Sequence, residues 1–157
     1  MQAVADVLRQ IADAGIPSKR TLLLGFSQGA CLAAEFAARH ARRYGGVAAL
    51  SGGLIGPDGT PRDYAGSLDG TPVFLGCGDV EFHIPAARVR QSAEVMRRLG
   101  GDVTVRLYPG MGHTINEEEL EVVRRIVERR EPANRGMPDL KVGLREQPTE
   151  SGLRKDL

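Results

Sequence analysis

The chain has 157 residues, with 21 Lys and Arg against 20 Asp and Glu and a formal charge of +1. A length of this order suits one domain that buries about two-thirds of its unfolded surface. Balanced charge excludes a field strong enough to gather nucleic acid or an anionic membrane, and 41% hydrophobic against 26% charged residues excludes a wholly disordered or fibrous chain.

Val4, Leu8 and Ile11 recur at helical spacing and are stopped by Gly15 and Pro17, which predicts an amphipathic helix over residues 1–14. Asp6, Arg9 and Asp13 break up any apolar run there, so neither a signal peptide nor a membrane span is expected, and a cytoplasmic protein follows. Residues 21–26 form a short apolar run of the kind buried in parallel sheets, and residues 28–39 read as an Ala-rich helix. A second strand is expected at 46–50 and a third at 71–76. The next helix has Pro85 in its first turn and Val89, Ala93, Met96 and Leu99 inward. Val103, Val105 and Leu107 alternate as a fourth strand. A last helix starts at Asn116, with Glu119 as its capping-box partner and Leu120, Val123, Ile126 and Val127 as its buried stripe.

Strands separated by helices of this length imply right-handed crossovers and a parallel sheet covered on both faces. Residues 51–70 depart from the pattern with six Gly and two Pro, and a loop that long inside a domain is usually functional or mobile. From Glu131 the chain holds three Pro, three Gly, five acidic and five basic residues in 27, the composition of a disordered tail. The domain is therefore set at 1–130 and the tail at 131–157. Cys31 and Cys77 lack CxxC spacing and read as small buried hydrophobes.

Gly25-Phe26-Ser27-Gln28-Gly29 fits G-x-S-x-G between an apolar strand and a small-residue helix. In that setting a sharp turn strains Ser27, lifts its hydroxyl clear of the sheet and leaves the Gln28 N–H as an oxyanion donor at the helix N-terminus. Gly25 and Gly29 would omit the side chains that such a turn cannot hold. A serine hydroxyl is a weak nucleophile until a base takes its proton, so a histidine and an orienting carboxylate are needed at the same sheet edge. Asp79 follows the third strand and His113 the fourth, and in a parallel sheet all such loops open on one side. Ser27, Asp79 and His113 are the expected triad, in α/β-hydrolase order.

Of the other histidines, His40 reads as a positive charge at a helix C-terminus. His83 shares a loop with Asp79 and Glu81, which raises a D-x-E-x-H metal cluster; with no helical spacing and no third cluster in support, pocket lining is preferred and no metal is expected. The arginine pairs 97–98, 124–125 and 129–130 read as solvated helix faces.

At these residues the chain resembles the phospholipase/carboxylesterase family of α/β-hydrolases, which includes acyl-protein thioesterases. Leu24 to Ala30 is similar to that family's elbow, Ala49 to Gly53 to its next strand and turn, Gly78-Asp79 with Ile84-Pro85 to its acid loop, and Gly112-His113 to its histidine loop. The resemblance runs from about Ala3 to Arg130. It implies an α/β-hydrolase three-layer sandwich, with a parallel sheet of at least four strands flanked by helices. It also implies cleavage of carboxylic esters or thioesters through an acyl-enzyme, without a cofactor. Phe26, Gly53, Leu54, Phe82, His83 and Met111 would line the substrate site.

Two departures stand out. The acid loop, Asp79 to Pro85, is longer than the family's shortest versions. Family members also begin with several strands and a His-Gly loop carrying a second oxyanion donor, so this chain is expected to be a C-terminal portion with the N-terminal strands missing. One lost donor costs on the order of 3 kcal/mol in the transition state. The open edge leaves room for a covering partner, a homodimer among the options. Two rivals stay open: a non-catalytic remnant acting as a binding or assembly module, and a dienelactone-hydrolase-like enzyme with a Cys nucleophile.

Overall fold

The structure, a computed structural model, describes residues 1–129; the tail expected from residue 131 lies outside them. Helix α1 (Gln2–Asp13) leads through a short 3-10 turn at Ser18–Arg20 into β1 (Leu22–Phe26), and α2 (Gln28–Arg39) follows. Then come β2 (Gly46–Leu50), β3 (Pro72–Gly78), α3 (Ala86–Arg98), β4 (Asp102–Tyr108) and α4 (Glu117–Glu128). The strands form one parallel sheet in the order β1-β2-β3-β4, as the alternation of apolar runs and helices requires.

Helices α1, α2 and α3 contribute to one core with residues of all four strands, and α4 covers the opposite face. The larger core holds Leu8, Phe36, Val47, Leu75, Val89 and Met96; the smaller one holds Ala48, Leu50, Phe74 and Ile126. This is a three-layer sandwich. Strands β2 and β3 are buried nearly throughout, which is why they read as unbroken apolar runs. Strand β1 is half exposed instead, because it is an edge of this sheet: Leu23 packs under α2, while Leu24 is exposed.

The inward residues expected of α3, Val89, Ala93, Met96 and Leu99, are all buried. In α4 the stripe is turned relative to expectation, since Leu120 and Val127 are exposed and the buried positions are Glu119 and Ile126. The capping box explains the rotation. Asn116 Oδ1 accepts from the Glu119 N–H at 2.9 Å and Glu119 Oε2 accepts from the Asn116 N–H at 3.0 Å, which draws the carboxyl inward at the start of the helix.

Residues 51–70, expected to be functional or mobile, are pinned in place. The Leu54 N–H donates to Ser92 Oγ at 2.8 Å and the Ile55 N–H to Glu35 Oε2 at 3.0 Å. Arg88 reaches the carbonyls of Leu54 and Gly56, and Arg62 that of Ile55. Among the described residues no helix is long and apolar enough to cross a membrane.

Candidate active site

At the β1–α2 junction the chain reverses within one residue, and Ser27 takes φ 55° and ψ −119° to make it. A non-glycine residue held at positive φ is strained and persists only where its surroundings fix it. Here the Ser27 N–H donates to the Leu50 carbonyl at 2.9 Å and its own carbonyl accepts from Cys31 at 3.1 Å. Gly25 is obligatory, since a Cβ there would stand 2.1 Å from the Gly29 carbonyl carbon. Gly29 differs from expectation, because a Cβ on it meets nothing within 4 Å. Gln28 opens α2, so its N–H is one of the first-turn donors that lack an intrahelical acceptor, beside Ser27.

His113 arrives from the loop after β4. That loop is drawn against the end of β3, where only a glycine fits: a Cβ on Gly78 would lie 1.9 Å from the Met111 carbonyl oxygen. His113 Nε2 lies 2.9 Å from Ser27 Oγ, and the ring packs on Phe26 with centroids 4.8 Å apart.

The group on His113 Nδ1 is Glu81, not Asp79. One oxygen of Glu81 bonds that nitrogen, and the other accepts from the His83 N–H at 2.7 Å and faces His83 Nδ1 at 3.1 Å. Asp79 is committed elsewhere, accepting from the Gly110 N–H at 2.7 Å through Oδ1, so it ties the two loops together without touching the imidazole. After β3 the backbone carries Asp79 toward the loop of Gly110, and two residues later the longer Glu81 side chain turns inward. Spacing and strand order point to a carboxylate in this loop but do not choose between two acids two residues apart.

The Glu81 side chain is wholly buried, and that burial by itself would push its carboxyl up. The His83 N–H, the imidazoles of His113 and His83, and the charge at His113 outweigh it and hold Glu81 below the usual carboxylate range. An ionised carboxylate is thereby kept on Nδ1, which fixes Nδ1 as the protonated nitrogen and leaves Nε2 free to accept from Ser27.

Beside this group lies a cavity of about 410 Å³, lined by Cys31, Leu32, Leu54, Ile55 and Ile84 among others, with Gln28 and His83 at its wall. Of the residues expected to line a substrate site, Gly53, Leu54 and His83 border this cavity. Phe26 instead supports the His113 ring. Phe82 is 96% exposed and points to solvent, and Met111 lies outside the cavity, its sulfur accepting from Asn116 Nδ2 at 3.1 Å. Cys31 is half-buried and borders the cavity, unlike the buried hydrophobe expected; Cys77 is buried, with its thiol pushed up to about 11 mainly by that burial.

A strained serine thus follows a parallel strand, with a histidine on its oxygen and a buried carboxylate behind the histidine. The sequence profile of the phospholipase/carboxylesterase family matches residues 1–129. The chain belongs to that family. This family member is 33% identical over 130 residues to acyl-protein thioesterase 1 of Gibberella zeae, covering 81% of this chain and 55% of that one. It also resembles the solved phospholipase/carboxylesterase of Dyadobacter fermentans, at 38% identity and TM-score 0.76, over 80% of this chain and 60% of that one. Arabidopsis thaliana SOBER1, at 21% identity and TM-score 0.70, shares the fold. The chain spans about half the length of the curated relatives it matches.

Proposed function

We propose that the protein is a serine hydrolase that cleaves carboxylic esters through an acyl-enzyme, with Ser27 as nucleophile, His113 as general base and acid, and Glu81 as the orienting carboxylate. The observation that carries this reading is the single imidazole joining Ser27 Oγ at one nitrogen and the buried Glu81 at the other. Attack of Ser27 on the carbonyl carbon passes its proton to Nε2, and Glu81 supports the imidazolium so formed. The Gln28 N–H donates to the oxyanion as the tetrahedral species develops. Collapse then returns the proton from Nε2 to the leaving alcohol or thiol. Water repeats the sequence on the acyl-enzyme and frees the acid.

A cavity of this volume is within the range of small-ligand sites, and its largely aliphatic lining, with Arg88 at one side, suits a medium-sized acyl group. The name of the Gibberella relative favours thioesters among the substrates. Cys31 and Cys77, both free, fit the reducing cytoplasm. Ser27, not Cys31, is the nucleophile of this reading, because His113 bonds its oxygen. The test is labelling with a fluorophosphonate probe together with turnover of a short p-nitrophenyl ester. Modification at Ser27 and loss of turnover in Ser27→Ala are expected; folded protein that the probe leaves unlabelled at Ser27 would sink the proposal.

A further inference from the structure

Within the acid loop Glu81 and His83 turn toward each other, Asp79 is turned away to the Gly110 N–H, and a third ligand beside them is lacking. The fold supplies one. His113, thirty residues on, comes into the same cluster, so that one donor atom from each of Glu81, His83 and His113 falls within 4.8 Å of the other two. Both imidazoles turn Nδ1 toward the same carboxylate, one to each oxygen. The ring centroids of His83 and His113 are 4.9 Å apart.

We infer that Glu81, His83 and His113 form an inhibitory site for a borderline divalent transition ion, Zn²⁺ in the first instance, which closes the active site by capturing the far side of its base. Two imidazoles and a carboxylate make a three-ligand set that zinc takes tetrahedrally with a fourth position left to water, whereas Mg²⁺ and Ca²⁺ prefer oxygen ligands throughout. Zinc–nitrogen bonds of about 2.0–2.1 Å put neighbouring ligand atoms roughly 3.3 Å apart, so the widest pair must close by roughly 1.5 Å. His83 can make that movement, since its side chain is 74% exposed, and the direct contact between Glu81 and His113 Nδ1 must open to admit the ion. The same exposure gives the ion its entry path.

Capture of Nδ1 changes what His113 can do. The proton that Glu81 holds on Nδ1 leaves to solvent, the nitrogen lone pair goes to the metal, and the remaining ring proton must sit on Nε2. Nε2 then donates to Ser27 Oγ and can no longer take its proton. Binding therefore abolishes general-base chemistry and shifts His83 at the cavity wall without disturbing the sheet.

The effect on rate rests on the esterase reading; the binding itself does not, and the experiment separates them. Zinc chloride is titrated calorimetrically into Ser27→Ala and, in parallel, into the wild type turning over a p-nitrophenyl ester. One ion per chain is expected in Ser27→Ala, with inhibition of the wild type at the same midpoint and full reversal by EDTA. His83→Gln removes one of the three ligands and should weaken binding at least as much as loss of an outer supporting group does, about tenfold or more. His40→Gln should leave affinity unchanged, and Mg²⁺ should give neither heat nor inhibition. Absence of stoichiometric binding to Ser27→Ala, or affinity that His83→Gln does not alter, overturns the site. Zinc binding with the expected His83 dependence in a wild type that turns over no ester would overturn the esterase reading and leave the metal site standing.

Discussion

Two carboxylates two residues apart have been given different work by one loop, and substitution should separate them cleanly. Glu81→Gln keeps the shape of the side chain but presents the wrong group to Nδ1, so His113 is no longer held with its proton there; a loss of about 10³- to 10⁴-fold in kcat is expected, with KM little changed. Asp79→Asn loses only a carboxylate bond to the Gly110 N–H, and its effect on kcat should stay within about tenfold. Steady-state kinetics of the two variants decides the matter, and a larger loss in Asp79→Asn would return the orienting role to that residue. Ser27 and His113 were legible because each has one plausible candidate after its own strand. The acid was not, because hydrogen-bond direction inside a seven-residue loop depends on how the loop folds back. The same limit hid the third metal ligand, which spacing within residues 79–83 cannot contain.

Whole elements were easier to read than their rotations. Every strand and α-helix of the described residues follows from apolar runs, caps and breakers, though not the 3-10 turn at Ser18–Arg20, and α4 is turned because a polar contact, not a methyl stripe, sets its first turn. The consequence is a glutamate buried without full pairing: Glu119 Oε2 has the Asn116 N–H, and Oε1 has no partner. Burial pushes the Glu119 carboxyl above its usual range, and the Asn116 N–H offsets that only in part. An acid whose folded pKa lies above its unfolded one contributes most stability in acid and loses it as pH rises through the folded value. Glu119→Gln keeps the acceptor of the capping box and removes the titration, so its Tm should exceed that of the wild type at pH 8, with the gap closing as pH falls below about 4. A gap independent of pH would refute this. At the β1–α2 junction, Gly25→Ala forces a methyl into the Gly29 backbone and should cost roughly 3 kcal/mol in denaturant unfolding, at the upper end of overpacking penalties.

At the scale of the molecule, the site exists because a long connection from β2 to β3 is held down over α2 and α3, walling the cavity with Leu54 and Ile55. The tie is a buried charge cluster. Glu35, 2% exposed, accepts from the Ile55 N–H and the Tyr64 hydroxyl, pairs with Arg39 at 2.7 Å, and faces Arg62 at 3.6 Å, whose side chain is itself only 5% exposed. Replacing both partners of such a pair by apolar groups can be nearly neutral, but removing one leaves the other charged and dry. Glu35→Ala strands the Arg62 guanidinium and the Ile55 N–H together, which should cost about 3–5 kcal/mol, whereas Arg39→Ala, lost from the solvent side, should cost less than about 1 kcal/mol. The same stroke loosens the cavity wall, so KM for a medium-chain ester should rise in Glu35→Ala more than kcat falls, because the three groups at the rim stand on other supports. Equal losses in the two parameters would mean instead that the connection and the reacting groups move as one body.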